Sequence, residues 1–233
     1  MPRYKTIYEQ NAKEYDLLVS REDFSGNILK AIQGVRTLEG LNVAEFGAGT
    51  GRVTALLAPH VKSIQAFDSY PAMIAEGNSK LKQLSMTNVT FAQADNKKLP
   101  INAATVDLSI AGWTFGHCTS WFPDSWRTEI SSAVQEMLRV TKPGGSAIIL
   151  ETLGTGQADP KAPNQNLSDY YSMIENEFGF TRSWIRTDYR FRSEAEAVYL
   201  TQTFFGRKYD FQKDAEGRAF LPECTGVWSR INS

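Results

Sequence analysis

The stretch NVAEFGAGTGRVTALL, running from Asn42 to Leu57, constrains the fold of this chain more than any other. A short apolar run ends in Gly47, Gly49 and Gly51, three glycines within five positions, and a segment of helical period follows at once. A strand that turns this tightly into a helix exposes backbone N–H groups, and the missing side chains let a ligand lie against the main chain. A tight turn with no ligand is the plainer reading of the same residues.

The rest of the chain repeats the rhythm of that stretch. Leu41–Phe46 reads as the first strand and Arg52–His60 as the helix after it. Ser63–Asp68 reads as a second strand, and Pro71 suits the first turn of the next helix, where a missing N–H costs nothing. Asn88–Asp95, Thr105–Trp113 and Ser146–Glu151 supply three more strands, with a helix through DSWRTEISSAVQEMLRV before the KPGG stop at Lys142–Gly145. The last of these strands is almost wholly apolar, which places it at the centre of a sheet. The polar, glycine-rich TLGTGQADPKAPNQN reads as a long loop of the lid or binding type. Beyond it come a helix, an extended segment RSWIRTDYRF, a second helix and a final strand near TGVWSRI. Strands alternating with helices make this an α/β, doubly wound, Rossmann-like fold. At 233 residues and 42% hydrophobic content one core suffices, and we expect a single domain.

A formal net charge of −1 offers no positive field for phosphate backbones or anionic lipid, so neither nucleic acid nor a membrane is an expected partner. Cys118 and Cys224 are too far apart for a metal knuckle and too few for a disulfide scaffold. The opening MPRYKTIYEQNAKEYDLL lacks the apolar core of a signal peptide, and no run reaches the ~20 apolar residues of a bilayer span. A cytoplasmic protein, monomer or homodimer, is expected.

Glycine spacing separates the candidate ligands. A dinucleotide fingerprint is GxGxxG, whereas here the third glycine arrives one residue early and Arg52 sits where a small residue belongs, which disfavours NAD. VAEFGAGTG instead resembles the first motif of the class I S-adenosylmethionine-dependent methyltransferases, specifically the type 11-like, small-molecule group. That resemblance makes Glu45 the acidic residue of the motif and sets Gly47, Ala48 and Gly49 around the methionine part of S-adenosyl-L-methionine. It implies that Asp68, in AFDSYPAMI, takes the ribose hydroxyls; an aspartate at a strand end also caps a following helix. It places Asp95 and Asn96, in QADNKKLP, at the adenine, although a loop aspartate that turns the chain reads the same way. Ser69, Met73, Ala111 and Gly112 are expected against the cofactor as well. VDLSIAGWTFGH and EMLRVTKPGGSAIILET complete the match, which covers Asn42 to Glu151. The family sheet has seven strands, mostly parallel with the last antiparallel. Residues 1–40 then become cap or lid helices, 41–151 the cofactor-binding core, and 152–233 the elements that complete the sheet.

A sulfonium methyl is already activated, so the protein has mainly to hold a nucleophile in line and exclude water; no metal is needed. His117, just past the fourth strand, is the candidate base where the acceptor must lose a proton, with a packing role as the alternative. Trp113, Phe115, Trp121 and Phe122 surround it in sequence, and Tyr4, Tyr8, Tyr15, Tyr170 and Tyr171 could join them around an apolar pocket, or be core. YEQNAKEYD resembles the N-terminal helix that closes over the cofactor in small-molecule methyltransferases, which makes Tyr8, Tyr15 and Trp113 candidate substrate contacts. AGWTFGH departs from the Asn/Asp-Pro-Pro-aromatic string of amino-directed DNA and glutamine enzymes, no Pro-Cys nucleophile is present, and no double-glutamate loop is recognisable. A small-molecule acceptor remains, with S-adenosyl-L-homocysteine as co-product. The competing readings are a non-catalytic, cofactor-binding regulatory protein and an NAD(P)-binding oxidoreductase.

Overall fold

The structure, a computed structural model, describes residues 8–233; Tyr4 and the start of the expected cap lie outside the described residues. Five parallel strands form first: β1 (Asn42–Phe46), β2 (Ser63–Asp68), β3 (Val89–Gln93), β4 (Val106–Gly112) and β5 (Thr141–Thr155). Two more, β6 (Thr181–Arg186) and β10 (Glu223–Ile231), complete a seven-stranded sheet of order β3-β2-β1-β4-β5-β10-β6. β10 runs antiparallel to both neighbours. The seven-stranded, mostly parallel α/β sheet with its last strand antiparallel is as the sequence implies. Strand order reverses between β1 and β4, where Phe46 lies opposite Ala111, and this switch point opens a crevice at the carboxyl ends of both strands.

Period-two alternation sorts the strand residues onto two faces. Ala44, Phe46, Ala147 and Ile149 face one core layer with α6 (Trp126–Val140) and α7 (Gln165–Asn176). On α6 the buried residues Ile130, Ala133, Val134 and Met137 recur at helical spacing. Val43, Ile64, Ile148 and Leu150 face the other layer, with α2 (Asn27–Val35) and α3 (Arg52–Leu57).

Several expected boundaries move. β5 begins directly after α6, so KPGG does not separate them. Instead it forms an irregularity inside the strand, where the partner shifts from Thr141 to Ser146 while β4 advances from Val106 to Leu108. β5 also continues through Thr155 and takes the first part of the expected loop. RSWIRTDYRF is two strands rather than one. Its second part, β7 (Tyr189–Arg190), joins β9 (Ala219–Leu221) and β8 (Gln212–Lys213) in a separate three-stranded sheet that the sequence reading missed. Leu18 of α1 (Ala12–Val19) and Leu200 and Phe204 of α8 (Glu194–Phe205) pack with that sheet in a third apolar cluster. Among the described residues no helix is long and apolar enough to cross a membrane.

Candidate functional site

The glycine loop folds back over the end of β2. Ala48 N–H donates to the Phe67 carbonyl at 2.8 Å, and Gly49 N–H donates to Asp68 Oδ2 at 2.8 Å. Gly47 has φ 59° and lies so close to Thr114 that a Cβ would come within 2.1 Å of its Oγ1. Gly49, at φ 56°, differs: its added Cβ would meet only the Tyr15 ring, at 3.7 Å. One glycine is demanded by packing, and the other leaves open space beside Tyr15.

Glu45 is buried beneath this loop, where Thr54 Oγ1 of α3 donates to its Oε2 at 2.5 Å. Burial pushes its carboxyl up to about 8. Ala48 and Ala111 are buried too, and with Glu45 they lie behind the lining of the cavity that opens at the switch point.

That cavity, about 550 Å³, is lined by Gly47, Gly49, Asp68, Ser69 and Met73 on one side and by Asp95, Asn96 and Gly112 on the other. Asp68 Oδ1 accepts the Tyr70 N–H at 2.8 Å, so the carboxylate holds the loop and the start of α4 (Pro71–Gln83) together. Burial raises its pKa against the opposing pull of these N–H groups. Asp95 accepts the Lys97 N–H at 2.9 Å and turns the chain locally, while its side chain stays exposed. Asn96 donates to Thr114 Oγ1 at 3.4 Å, but among the described residues its buried Oδ1 has no partner, nor has the buried indole N–H of Trp121. An orphaned acceptor and an orphaned donor at one end of a cavity fit the edge of a purine base.

A second cavity, about 440 Å³, lies on the far side of Tyr8, Tyr15, Trp113 and His117, which line both chambers. Tyr8 Oη and His117 Nε2 are 2.9 Å apart, and the His117 ring stacks on Trp121 with centroids 5.0 Å apart. His117 is half-buried between the two chambers, where desolvation drives its pKa down to about 4 and a hydrogen bond to the Trp113 backbone opposes that shift. Trp113 holds φ at 50°, a left-handed conformation that costs a tryptophan roughly 1–3 kcal/mol. That strain sits where the two chambers meet.

Glu22, Arg52, Glu151 and Glu223 line the second chamber. Sequence reasoning missed the three glutamates and weighed Arg52 only against a dinucleotide. The signal for Glu151 was present, as a carboxyl closing an otherwise apolar central strand. Gly116 N–H donates to its Oε1 at 2.8 Å, and burial pushes its pKa up to about 8.

Residues 44–149 match the family model described as a methyltransferase domain. The ubiquinone/menaquinone biosynthesis C-methyltransferase UbiE of Idiomarina loihiensis is 29% identical over 154 residues, covering 62% of this chain and 57% of the relative. The demethylmenaquinone methyltransferase of Lactococcus lactis subsp. lactis is 24% identical over 156 residues, covering 64% of this chain and 58% of the relative. The chain thus spans little more than half the length of these relatives. Among solved structures, a SAM dependent methyltransferase from Aquifex aeolicus superposes with a TM-score of 0.58 at 18% identity, covering 94% of this chain and 97% of that one. That likeness concerns the fold.

Proposed function

We propose that this chain, whose residues 44–149 match a methyltransferase domain, is a class I, S-adenosylmethionine-dependent methyltransferase that transfers a methyl group to a small-molecule acceptor. The observation that carries this is the pair of chambers sharing one aromatic wall, Tyr8, Tyr15, Trp113 and His117. The glycine-loop chamber takes S-adenosyl-L-methionine, which supplies an already activated sulfonium methyl when bound, and the second chamber takes the acceptor.

In this reading Asp68 receives the ribose hydroxyls on the lone pairs that Gly49 and Tyr70 leave free. Asn96 Oδ1 and the Trp121 N–H serve the adenine edge, with Asp95 at the rim. Gly47, Gly49, Ser69, Met73 and Gly112 shape the chamber around the cofactor, while Glu45, Ala48 and Ala111 support it from behind. Tyr8, Tyr15 and Trp113 close the passage to water and guide the acceptor. His117 holds the Tyr8 hydroxyl, and takes up a proton from the acceptor through that hydroxyl where one must leave. With a pKa near 4 it is neutral at neutral pH and a weak base, which suits an acceptor that loses its proton readily. Residues 8–40 act as the cap, 41–151 as the cofactor core and 152–233 as the remainder of one functional unit. A cytoplasmic setting and a small-molecule partner, in place of nucleic acid, accord with the net charge of −1.

Calorimetric titration with S-adenosylmethionine, S-adenosylhomocysteine and NAD tests the cofactor. Binding of the first two alone is expected, and Asp68→Ala should weaken it by roughly 1–3 kcal/mol. Binding of NAD alone would overturn the reading, and an unchanged affinity in the variant would remove Asp68 from the ribose.

A further inference from the structure

The second chamber holds more carboxyl groups than methyl transfer by itself requires. Glu22, Glu151 and Glu223 reach it from α1's exit, the end of β5 and the start of β10. Among the described residues Arg52 is the one buried cation on its lining; Nη1 donates to Glu22 Oε2 at 2.9 Å, and the guanidinium lies 4.1 Å over the Trp113 ring. That pair balances its own charge. Arg207 also lines the chamber, but it is exposed at the mouth, where it donates to the Thr155 carbonyl at 3.2 Å. Its charge is largely dissipated in water. Glu223 shares the charge of Arg52 with Glu22, and Glu151 is left without a buried counter-ion among the described residues of the lining.

The unsatisfied atoms point the same way. Glu22 is 9% exposed and Glu223 2%; Glu22 Oε1 and Glu223 Oε2 each lack a donor at good hydrogen-bond geometry among the described residues, although the Tyr189 hydroxyl lies beside Glu22 and the Thr155 hydroxyl beside Glu223. The other oxygen of Glu223 accepts from Thr152 Oγ1 at 2.7 Å, which fixes the carboxyl on the chamber wall. A buried acceptor without a donor is a standing cost to the fold, and a ligand that brings the donor removes it. Around these carboxyls stand Tyr8, Tyr15, Trp113, Tyr189 and Phe204, ring faces that attract positive charge as well as apolar surface.

We propose that this chamber takes the methyl acceptor as an organic amine: it enters as the ammonium, held by Glu223 and Glu22 inside the aromatic wall, passes one proton to a carboxylate of that pair, and the freed nitrogen lone pair then takes the methyl group as S-adenosylhomocysteine leaves. Two orphaned acceptors and an excess of carboxyl groups match a multiply donating cation, and the one orphaned donor, Arg52 Nη2, leaves room for an oxygen on the same molecule. Burial pushes the Glu151 and Glu223 carboxyls up to about 8, as befits groups whose counter-ion arrives with the ligand.

The inference rests on the methyl-transfer reading, so cofactor and acceptor are measured separately. Phenethylamine, 2-phenylethanol and 3-phenylpropionate, matched in shape and differing in charge, are titrated calorimetrically into protein saturated with S-adenosylhomocysteine. Should S-adenosylhomocysteine fail to bind, the cofactor reading falls, and the same three titrations on the free protein still decide the amine. The expected result is binding of phenethylamine at least about tenfold tighter than either analogue. Glu223→Gln should erase that preference while S-adenosylhomocysteine affinity stays as in the parent. Equal binding of the alcohol, tighter binding of the propionate, or no binding of any of the three at about 10 mM overturns the proposal. If the variant does not fold, the preference of the parent protein among the three ligands decides the matter.

Discussion

Tyr8 and His117 share a hydrogen bond of 2.9 Å, and that bond governs what either group can do. With its pKa pushed down to about 4, the His117 ring is neutral at neutral pH and presents one N–H and one lone pair. The Trp113 backbone bonds one side of the ring, and the Tyr8 hydroxyl meets Nε2. Histidine therefore sets where the tyrosine points, and the tyrosine is the group that faces both chambers. Removing either partner should have the same consequence. Tyr8→Phe and His117→Ala are each expected to lower turnover by about tenfold, the worth of one partly buried hydrogen bond. The double variant should fall no further than the worse single one, while S-adenosylhomocysteine affinity moves little. Steady-state kinetics on the four proteins checks this, and additive losses would mean that the two residues act independently.

At the scale of elements, Asp16 ties α1 to the cofactor chamber by hydrogen bond and ion pair. Asp16 Oδ1 accepts from Thr50 Oγ1 of the glycine loop at 2.7 Å and pairs with Lys80 of α4. One carboxylate thus links the helix that carries Tyr15 to two elements lining the cofactor. Asp16→Ala should speed release of S-adenosylhomocysteine about tenfold, with a smaller change in its association rate. Stopped-flow displacement reads both rates, and an unchanged release rate would show that α1 does not gate the chamber. The elements legible in the sequence were those with local causes: the β1 run, the glycine turn and the amphipathic period of α6 each declare themselves within about fifteen residues. The small sheet was hidden because β7 and β8 are two residues each, too short for any period. Asp188 marks the break before β7, accepting from the Arg186 guanidinium at 2.8 Å and from Glu223 N–H at 2.9 Å, but its partner lies 35 positions away. The cofactor residues followed from one contiguous motif region, whereas the acceptor chamber joins Glu22, Arg52, Glu151 and Glu223. No spacing rule links positions contributed by four elements.

For the whole molecule, these same buried carboxyls set how stability responds to pH. Glu45 and Glu151 each sit near a pKa of about 8, raised by burial, and burial raises Glu223 likewise. A folded pKa above the unfolded one means that the folded protein holds the extra protons. The contribution is complete below the unfolded carboxyl value and is lost as pH rises toward 8, at about 1.4 kcal/mol per pH unit for each group that releases its proton on unfolding. His117 acts in the opposite sense: its neutral burial contributes fully above pH 6.5 and is lost as pH falls through about 4. Between about pH 6.5 and 8 only the carboxyls are changing, so the free protein should melt at progressively lower temperature across that window. Glu151→Gln, which keeps an acceptor for the Gly116 N–H, should flatten the slope by about a third, since one of three contributing groups no longer titrates. Differential scanning calorimetry at half-unit pH steps gives both curves. A melting temperature that stays level or rises over the window would mean that these carboxyls are already ionised in the fold. The chamber would then have to supply its own counter-charge, and Arg52, the cation that already acts on Glu223, would have to carry it.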